Sequence, residues 1–195
     1  MESVLLIDGE NFKRKMKSVF LSYGRKEPIW HEYDFKGIFG KVLYGVNIDR
    51  KIFYFGRIKE DPATLKKSQE LIQEQRLLKT HLERQEFEVE FAGRVRGQLG
   101  DGFLGKKIKI FKEKGVDVKI AVDMVTWSCD KKVNNIILAS SDSDLQPAIK
   151  EVKNRGVYCI YLGFSLDPNK GLTASTNKTF LIRDSEIFEF EKTNF

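Results

Sequence analysis

Four aspartates stand where a metal site of an α/β protein is expected. Asp8 follows the first apolar run of the chain, and Asp142 and Asp144 follow a later one. Asp117 lies in the first turn of a helical pattern. If these elements are neighbours, the carboxylates converge at one sheet edge, and a cation has to offset their repulsion. Carboxylate oxygens favour a hard divalent ion, so the pattern predicts a site for Mg²⁺ or Mn²⁺.

Each acid also has an ordinary structural explanation. An Asp-Gly pair is common in turns, and aspartates after a strand or in a first helical turn suit helix caps and the helix dipole. The conjunction of four such positions is what favours a metal site. Asp123 follows Asp117 by six residues, about 240° around the same helix, so its part in the site stays open.

The acids stand in a pattern that alternates apolar strands with helices. Strand-like runs cover residues 4–7, 51–55, 87–91, 107–111, 135–139 and 156–163. Helical spacing covers about 12–20, 62–82, 116–129 and 145–152. Strands that are apolar throughout belong in a parallel sheet covered on both faces. The prediction is a three-layer α/β/α fold of the Rossmannoid class with a mainly parallel central sheet.

We expect a single domain over residues 1–195, because we find no linker, internal repeat or low-complexity tract. A glycine-rich basic stretch at about 93–112 predicts a hairpin-like excursion before the helix that carries Asp117. The stretch 22–44 matches no clear pattern, and no element is predicted there.

Charge and composition narrow the class of protein. The chain has 34 Lys and Arg against 28 Asp and Glu, a net charge of +6. This balance favours a polyanionic partner. With 41% hydrophobic and 32% charged residues, the chain is neither disordered, nor collagen-like, nor a membrane bundle.

The sequence also predicts the cellular setting. It shows neither a signal peptide nor an apolar run of about 18 residues that could span a bilayer, so we expect no membrane partner. Cys129 and Cys159 have neither zinc-ligand spacing nor the density of a disulfide scaffold. We expect both to be buried thiols of a cytoplasmic protein.

Three motifs occur in order along the chain. They are VLLIDGENF near the start, EKGVDVKIAVDM before and within the helix that contains Asp117, and LASSDSDLQPAI around Asp142. Together they resemble the NYN domain of the LabA-like group, which belongs to the PIN-like nuclease superfamily. One departure is Ser141, which stands where the family often has glycine.

The resemblance implies a metal-dependent ribonuclease. It assigns Asp8, Asp117, Asp142 and Asp144 as acids of the metal site and of catalysis, with Asn11 as a polar helper. The leading hypothesis is an endoribonuclease that takes Mg²⁺ or Mn²⁺ and acts on RNA that is single-stranded or has exposed loops. A homodimer stays open.

Basic residues near these motifs are candidates for contacts with RNA phosphates. They are Lys13, Arg14, Arg94, Arg96, Lys106, Lys107 and Lys114. For the first helix, a solvated charged face is an equally good explanation. Phe103 and Phe111 within the basic stretch suit either base stacking or core packing.

Other functions are weighed against this one. An RNA-binding or regulatory NYN domain with little or no catalysis is the alternative on the same fold. A phosphatase with an aspartyl nucleophile requires Asp-x-Asp after the first strand, where this chain has Asp8-Gly9-Glu10. A dinucleotide-binding domain requires GxGxxG there, and that motif is absent.

Overall fold

The computed structural model describes residues 1–101 and 107–192, with the backbone alone at 63, 96–101 and 107–113. Seven strands form one sheet in the order β4-β3-β2-β1-β5-β6-β7. Six of them are parallel, and β4 pairs antiparallel with β3 at one edge. The strands are β1 Glu2–Asp8, β2 Arg50–Arg57, β3 Glu88–Asp101, β4 Lys107–Lys114, β5 Val133–Ala139, β6 Tyr158–Phe164 and β7 Lys178–Ile182.

Seven helices among the described residues cover the two faces of the sheet. They are α1 Gly9–Ser22, α2 Phe35–Val42, α3 Leu65–Arg84, α4 Val116–Cys129, α5 Gln146–Asn154, α6 Lys170–Ser175 and α7 Asp184–Glu189. Leu5 and Ile7 of β1 pack into one core with α1, α2, α3 and α7. Val4 and Leu6 pack into a second core with α4, α5 and α6. Because successive side chains of a strand point to opposite faces, β1 is apolar at every position from Val4 to Ile7. The predicted three-layer fold is confirmed.

The course of the chain creates a crevice between β1 and β5. From β1 the chain builds β2, β3 and β4 to one side, and it then builds β6 and β7 beyond β5 on the other side. Ile7 of β1 pairs with Ala139 of β5, so the two strands end side by side. Ligands of open α/β sheets bind at such a switch point, outside the carboxyl ends of the strands.

Several short elements were not predicted from the sequence. α2 lies within the stretch 22–44, begins at an Asp34 cap, and packs Phe35 and Phe39 against the ring of Phe53. Three elements near the C-terminal end, α6, β7 and α7, have only five or six residues each. Such short segments have too few residues to show a recognisable periodic pattern. Their stability comes from tertiary packing, which the sequence does not reveal.

The expectation for one cysteine was wrong. Cys159 is buried in β6, but Cys129 is exposed at the end of α4. Cys129 is the last residue of α4, and its sulfur accepts a hydrogen bond from Nε of Arg155 at 3.1 Å instead of packing in the core. Among the described residues, none of the helices is both long and apolar enough to cross a bilayer.

Gly9 allows α1 to begin directly against β2. A Cβ atom at this position would lie 2.1 Å from Cε1 of Phe55, well inside van der Waals contact. Phe55 is fixed in turn, because its ring stacks on Phe53 in the core. The glycine after Asp8 is therefore required by packing.

We predict that Gly9→Ala destabilises the fold by about 1 to 3 kcal/mol, because the core has to shift around the new methyl group. The matched control is Gly40→Ala in α2, where a Cβ meets nothing within 4 Å. Alanine favours a helix over glycine by up to about 1 kcal/mol, so the control is expected to be neutral or stabilising. Urea unfolding of both variants measures the difference, and equal stabilities would contradict the prediction.

Candidate metal centre

Asp8 occupies the crevice between β1 and β5. It is the last residue of β1 and the N-cap of α1, and it is only 6% exposed. Its Oδ1 accepts a hydrogen bond from the backbone N–H of Asn11 at 3.1 Å. Its Oδ2 accepts one from the hydroxyl of Ser140 at 3.4 Å. The carboxylate thus joins β1, α1 and the end of β5.

Burial raises the pKa of the Asp8 carboxyl to about 6. The negative charge of Asp142 raises it further, whereas the hydrogen bonds from Asn11 and Ser140 and the charge of Arg14 oppose the shift. Asp8 ends β1 and Asp142 follows the neighbouring parallel strand β5, so the two acids lie at the same end of the sheet. A positive charge nearby would favour the ionised form of Asp8.

Asn11 connects the first helix to the segment that follows β5. Its Oδ1 accepts hydrogen bonds from the backbone N–H of Ser141 at 2.9 Å and from the Ser141 hydroxyl at 2.8 Å. The side chain is 8% exposed. Asn11 therefore positions the start of the loop that carries Asp142 and Asp144.

Three carboxylates lie close together beside the contact between Asn11 and Ser141. Asp117, Asp142 and Asp144 each place an oxygen within 4.8 Å of the others, and we call them the acidic cluster. Asp117 and Asp142 are half-buried and Asp144 is exposed. Oxygen ligands on opposite sides of one cation stand about 4.0 to 5.2 Å apart, since each bond measures about 2.0 to 2.6 Å. The spacing of the acidic cluster fits a shared divalent ion.

Local structure fixes the orientation of Asp142. Its Oδ1 accepts a hydrogen bond from the backbone N–H of Asp144 at 2.9 Å, and its own N–H donates to the Ser140 hydroxyl oxygen at 3.2 Å. Asp142 thereby caps the 3-10 turn at Ser143–Leu145. One carboxylate oxygen is used as a cap, which leaves the other available to a ligand.

Asp117 reaches the acidic cluster from a distant part of the sheet. The chain leaves β4 at the sheet edge and turns at Gly115, which has a φ of 91°. α4 then packs across the sheet and contacts α5. Its first turn thus brings Asp117 to the acids that follow β5.

Asp123 has a different environment from the acidic cluster. It is buried, accepts a hydrogen bond from the Tyr54 hydroxyl at 2.9 Å, and pairs with the Lys119 ammonium at 2.6 Å. Burial, together with the charge of Asp123, raises the pKa of Tyr54. The contacts of Asp123 therefore tie α4 to β2.

Comparison with known proteins decides the family. The model of the NYN domain matches residues 3–182, which include Asp8 and the whole acidic cluster. The chain belongs to the NYN family. No curated protein matches it. A crystal structure of a protein of unknown function from Vibrio parahaemolyticus has a TM-score of 0.59 at 17% identity, covering 93% of each chain. That similarity shows a shared fold.

The basic residues predicted to contact RNA have different environments in this NYN domain. Lys13 pairs with Glu10 at 2.8 Å, and its ammonium lies 5.8 Å from the ring centres of both Trp30 and Phe55. With 17% exposure, the Lys13 side chain is largely occupied by these contacts. Arg14 is exposed on α1 and close enough to influence the pKa of Asp8.

The remaining basic candidates belong to the β3–β4 pair. Arg94 and Lys114 are exposed and directly opposite each other on the two strands. Arg96 lies on β3 and Lys107 lies on β4. Lys106 and Phe103 lie outside the described residues.

Asn169 was missed by the sequence reasoning and contacts the same loop. Its Oδ1 caps α6 by accepting from the N–H of Leu172 at 3.0 Å. Its Nδ2 donates to the backbone carbonyl of Ser141 at 2.9 Å. An Asn before a helix is a recognisable capping signal, but the helix has only six residues and was not predicted. Asn169 thus supports the loop of the NYN site from the side of β6.

We predict that Asp8→Asn stabilises the protein in the absence of divalent ions. The folded state has to ionise a carboxyl of pKa about 6, against 3.8 without burial, so stability falls as the pH rises from about 4 to 6. Asparagine retains the cap without the charge. The gain is expected to be about 3 kcal/mol near pH 7.5 and about half of that near pH 5.

Urea unfolding in EDTA at both pH values measures the effect. Addition of Mg²⁺ or Mn²⁺ is expected to reduce the difference, because a nearby cation favours the ionised form of Asp8 and so stabilises the wild type more than the variant. A difference that does not change with pH would show that the Asp8 carboxyl does not titrate in this range.

Proposed function

We propose that this NYN domain is a divalent-metal-dependent ribonuclease of the LabA-like group. The observation that carries the proposal is the acidic cluster beside the switch point of a PIN-like fold. Unpaired carboxylates at this spacing repel one another, so their arrangement is favourable when they share a cation.

The donor set fits Mg²⁺ or Mn²⁺. All three members of the acidic cluster offer carboxylate oxygens, which suit hard ions. A bound ion of this kind would activate water and polarise a phosphoryl oxygen at neutral pH. In this proposal Asp117, Asp142 and Asp144 hold the ion, and Asp8 contributes negative charge from behind the cluster.

The neighbouring serines are engaged in other contacts. The Ser140 hydroxyl donates to Asp8, and the Ser141 hydroxyl donates to Asn11. Among the described residues, neither His31 nor His81 is a hydrogen-bond partner of these serines, and His81 is bonded to the carbonyl of Tyr33 and to Gln85. A hydroxyl without an adjacent base is a weak nucleophile. Hydrolysis by water therefore suits this site better than a covalent intermediate.

RNA is the proposed substrate, and internal cleavage of single-stranded segments is the proposed mode. The site lies outside the carboxyl ends of β1 and β5, where an RNA strand that passes across this end of the sheet would meet it. Its members are only half-buried or exposed, which leaves room for a backbone phosphate. A cytoplasmic location agrees with the two free cysteines.

The alternative is an NYN domain that binds RNA with little or no turnover. Both functions use the same crevice, and only a cleavage assay separates them. Wild-type protein that binds single-stranded RNA but leaves it intact in Mg²⁺ and in Mn²⁺ would favour the binding function.

We predict that Asp142→Asn abolishes cleavage while the protein stays folded. The amide oxygen of asparagine accepts the hydrogen bond from Asp144, so the cap is retained. One negative charge leaves the acidic cluster, so metal-dependent cleavage is expected to fall by about a hundredfold or more. RNA binding is expected to persist or strengthen, because repulsion of phosphate decreases.

The matched control is Asp130→Asn. Asp130 is an exposed acid at the end of α4 and pairs with Lys132, away from the acidic cluster. Cleavage of a labelled single-stranded RNA is followed with Mg²⁺, with Mn²⁺ and with EDTA. Full activity of purified Asp142→Asn would refute the proposed mechanism, whereas Asp130→Asn is expected to cleave like the wild type.

A further inference from the structure

Three exposed basic residues lie side by side at the carboxyl end of the sheet. Arg57 ends β2, Arg94 lies on β3, and Lys114 ends β4. Arg57 is the partner of Arg94 across β2 and β3, and Arg94 is the partner of Lys114 across β3 and β4. Neighbouring strands stand about 4.8 Å apart, so the three residues form a row about 10 Å long. We call them the basic row.

The basic row is unfavourable for the isolated protein. Like charges directly opposite each other on neighbouring strands destabilise a sheet. Among the residues whose side chains the structure describes, no acid forms an ion pair with any member of the row. Within that part of the chain, the positive charges of the row therefore have no ion-pairing acid.

The amino end of the same strands is arranged differently. Arg50 at the start of β2 forms ion pairs with Glu88 on β3 and with Glu2 on β1. Lys51 lies 4.0 Å from Glu86. Among the described side chains, cross-strand charges are thus paired at the amino end, whereas the row at the carboxyl end has no such pair. A row of cations maintained in this way suits an anionic ligand from outside the chain.

The basic row lies next to the acidic cluster in the chain. Only Gly115 and Val116 separate Lys114 from Asp117. The Asp117 carboxylate is in turn within 4.8 Å of those of Asp142 and Asp144. A ligand phosphate at the acidic cluster therefore has its neighbours along the same backbone within reach of the row.

We propose that the basic row binds consecutive backbone phosphates of single-stranded RNA on one side of the acidic cluster. The RNA strand crosses β2, β3 and β4 at the level of the row, at right angles to the strands. Arg57 thereby becomes a substrate-binding residue, together with Arg94 and Lys114. This assignment rests on the proposed function for the position of the phosphate that is cut.

Binding is tested in the Asp142→Asn background, so that the probe is not cleaved. A fluorescent single-stranded RNA of about 12 nucleotides is titrated by anisotropy over a range of KCl concentrations. The variants are Arg57→Gln, Arg94→Gln and Lys114→Gln. Arg84→Gln is the matched control, because Arg84 is an exposed residue at the end of α3, near the start of β3.

Each substitution in the row is expected to weaken binding about threefold to tenfold. Each is also expected to reduce the slope of log affinity against log salt by about 0.7, as for one lost contact with a single strand. Arg94→Gln removes both like-charge contacts of the row, so its Tm is expected to rise by about 1 to 3 °C. Arg84→Gln is expected to change neither the slope nor the Tm.

Three results would overturn the proposal. Wild-type affinity and slope in all three row variants would place the RNA elsewhere. A loss in Arg84→Gln equal to that of the row would show that only net charge matters. Tighter binding of duplex RNA than of the single strand would overturn the choice of ligand.

Failure of the proposed function gives a different result. If wild-type protein does not cleave RNA but the row variants weaken binding, the RNA-binding role of the basic row is supported and the nuclease proposal is refuted. If wild-type protein cleaves RNA and the row variants bind and cleave normally, the nuclease proposal is supported and the role of the basic row is refuted.

Discussion

The structure depends on how the Asp8 carboxylate is accommodated. Burial of a carboxylate is costly unless hydrogen bonds replace its hydration, and here it caps α1 and accepts a hydrogen bond from Ser140. Asn11, in the same first turn, binds Ser141. The side chains of Asp8 and Asn11 thus connect the end of β1, the start of α1 and the end of β5. The loop of Asp142 and Asp144 begins at these contacts, so the position of the loop depends on them.

The central strands and the strand-end acids could be predicted from the sequence. The middle of β1 lies between two cores, which requires apolar residues from Val4 to Ile7, and Asp8 and Asp142 stand at or shortly after strand ends. The approach of Asp117 could not be derived in this way, because it depends on how α4 crosses the sheet from β4 to α5. Arg57 was missed for a related reason. Its partners are set by strand register at a shift between β2 and β3, which the sequence does not show.

Charges of both signs are concentrated at the carboxyl end of the sheet. The acidic cluster and the basic row each contain like charges at close range, and both are unfavourable in the isolated protein. At the amino end of the sheet, Arg50 and its acidic partners form ordinary cross-strand pairs. Stability is given up where a ligand can restore it, which is a common property of functional sites.

The hydrogen bonds of Asp8 have a consequence for folding during biosynthesis. Asp8 and Ser140 are 132 residues apart, and the acidic cluster combines positions 117, 142 and 144. Contacts of such long sequence separation form late, after much of the chain has been ordered. During translation the growing chain therefore carries no assembled acidic cluster until β5 and the loop after it have emerged from the ribosome. Truncated chains that end before β5 contain Asp8 but lack the partners that give it a role.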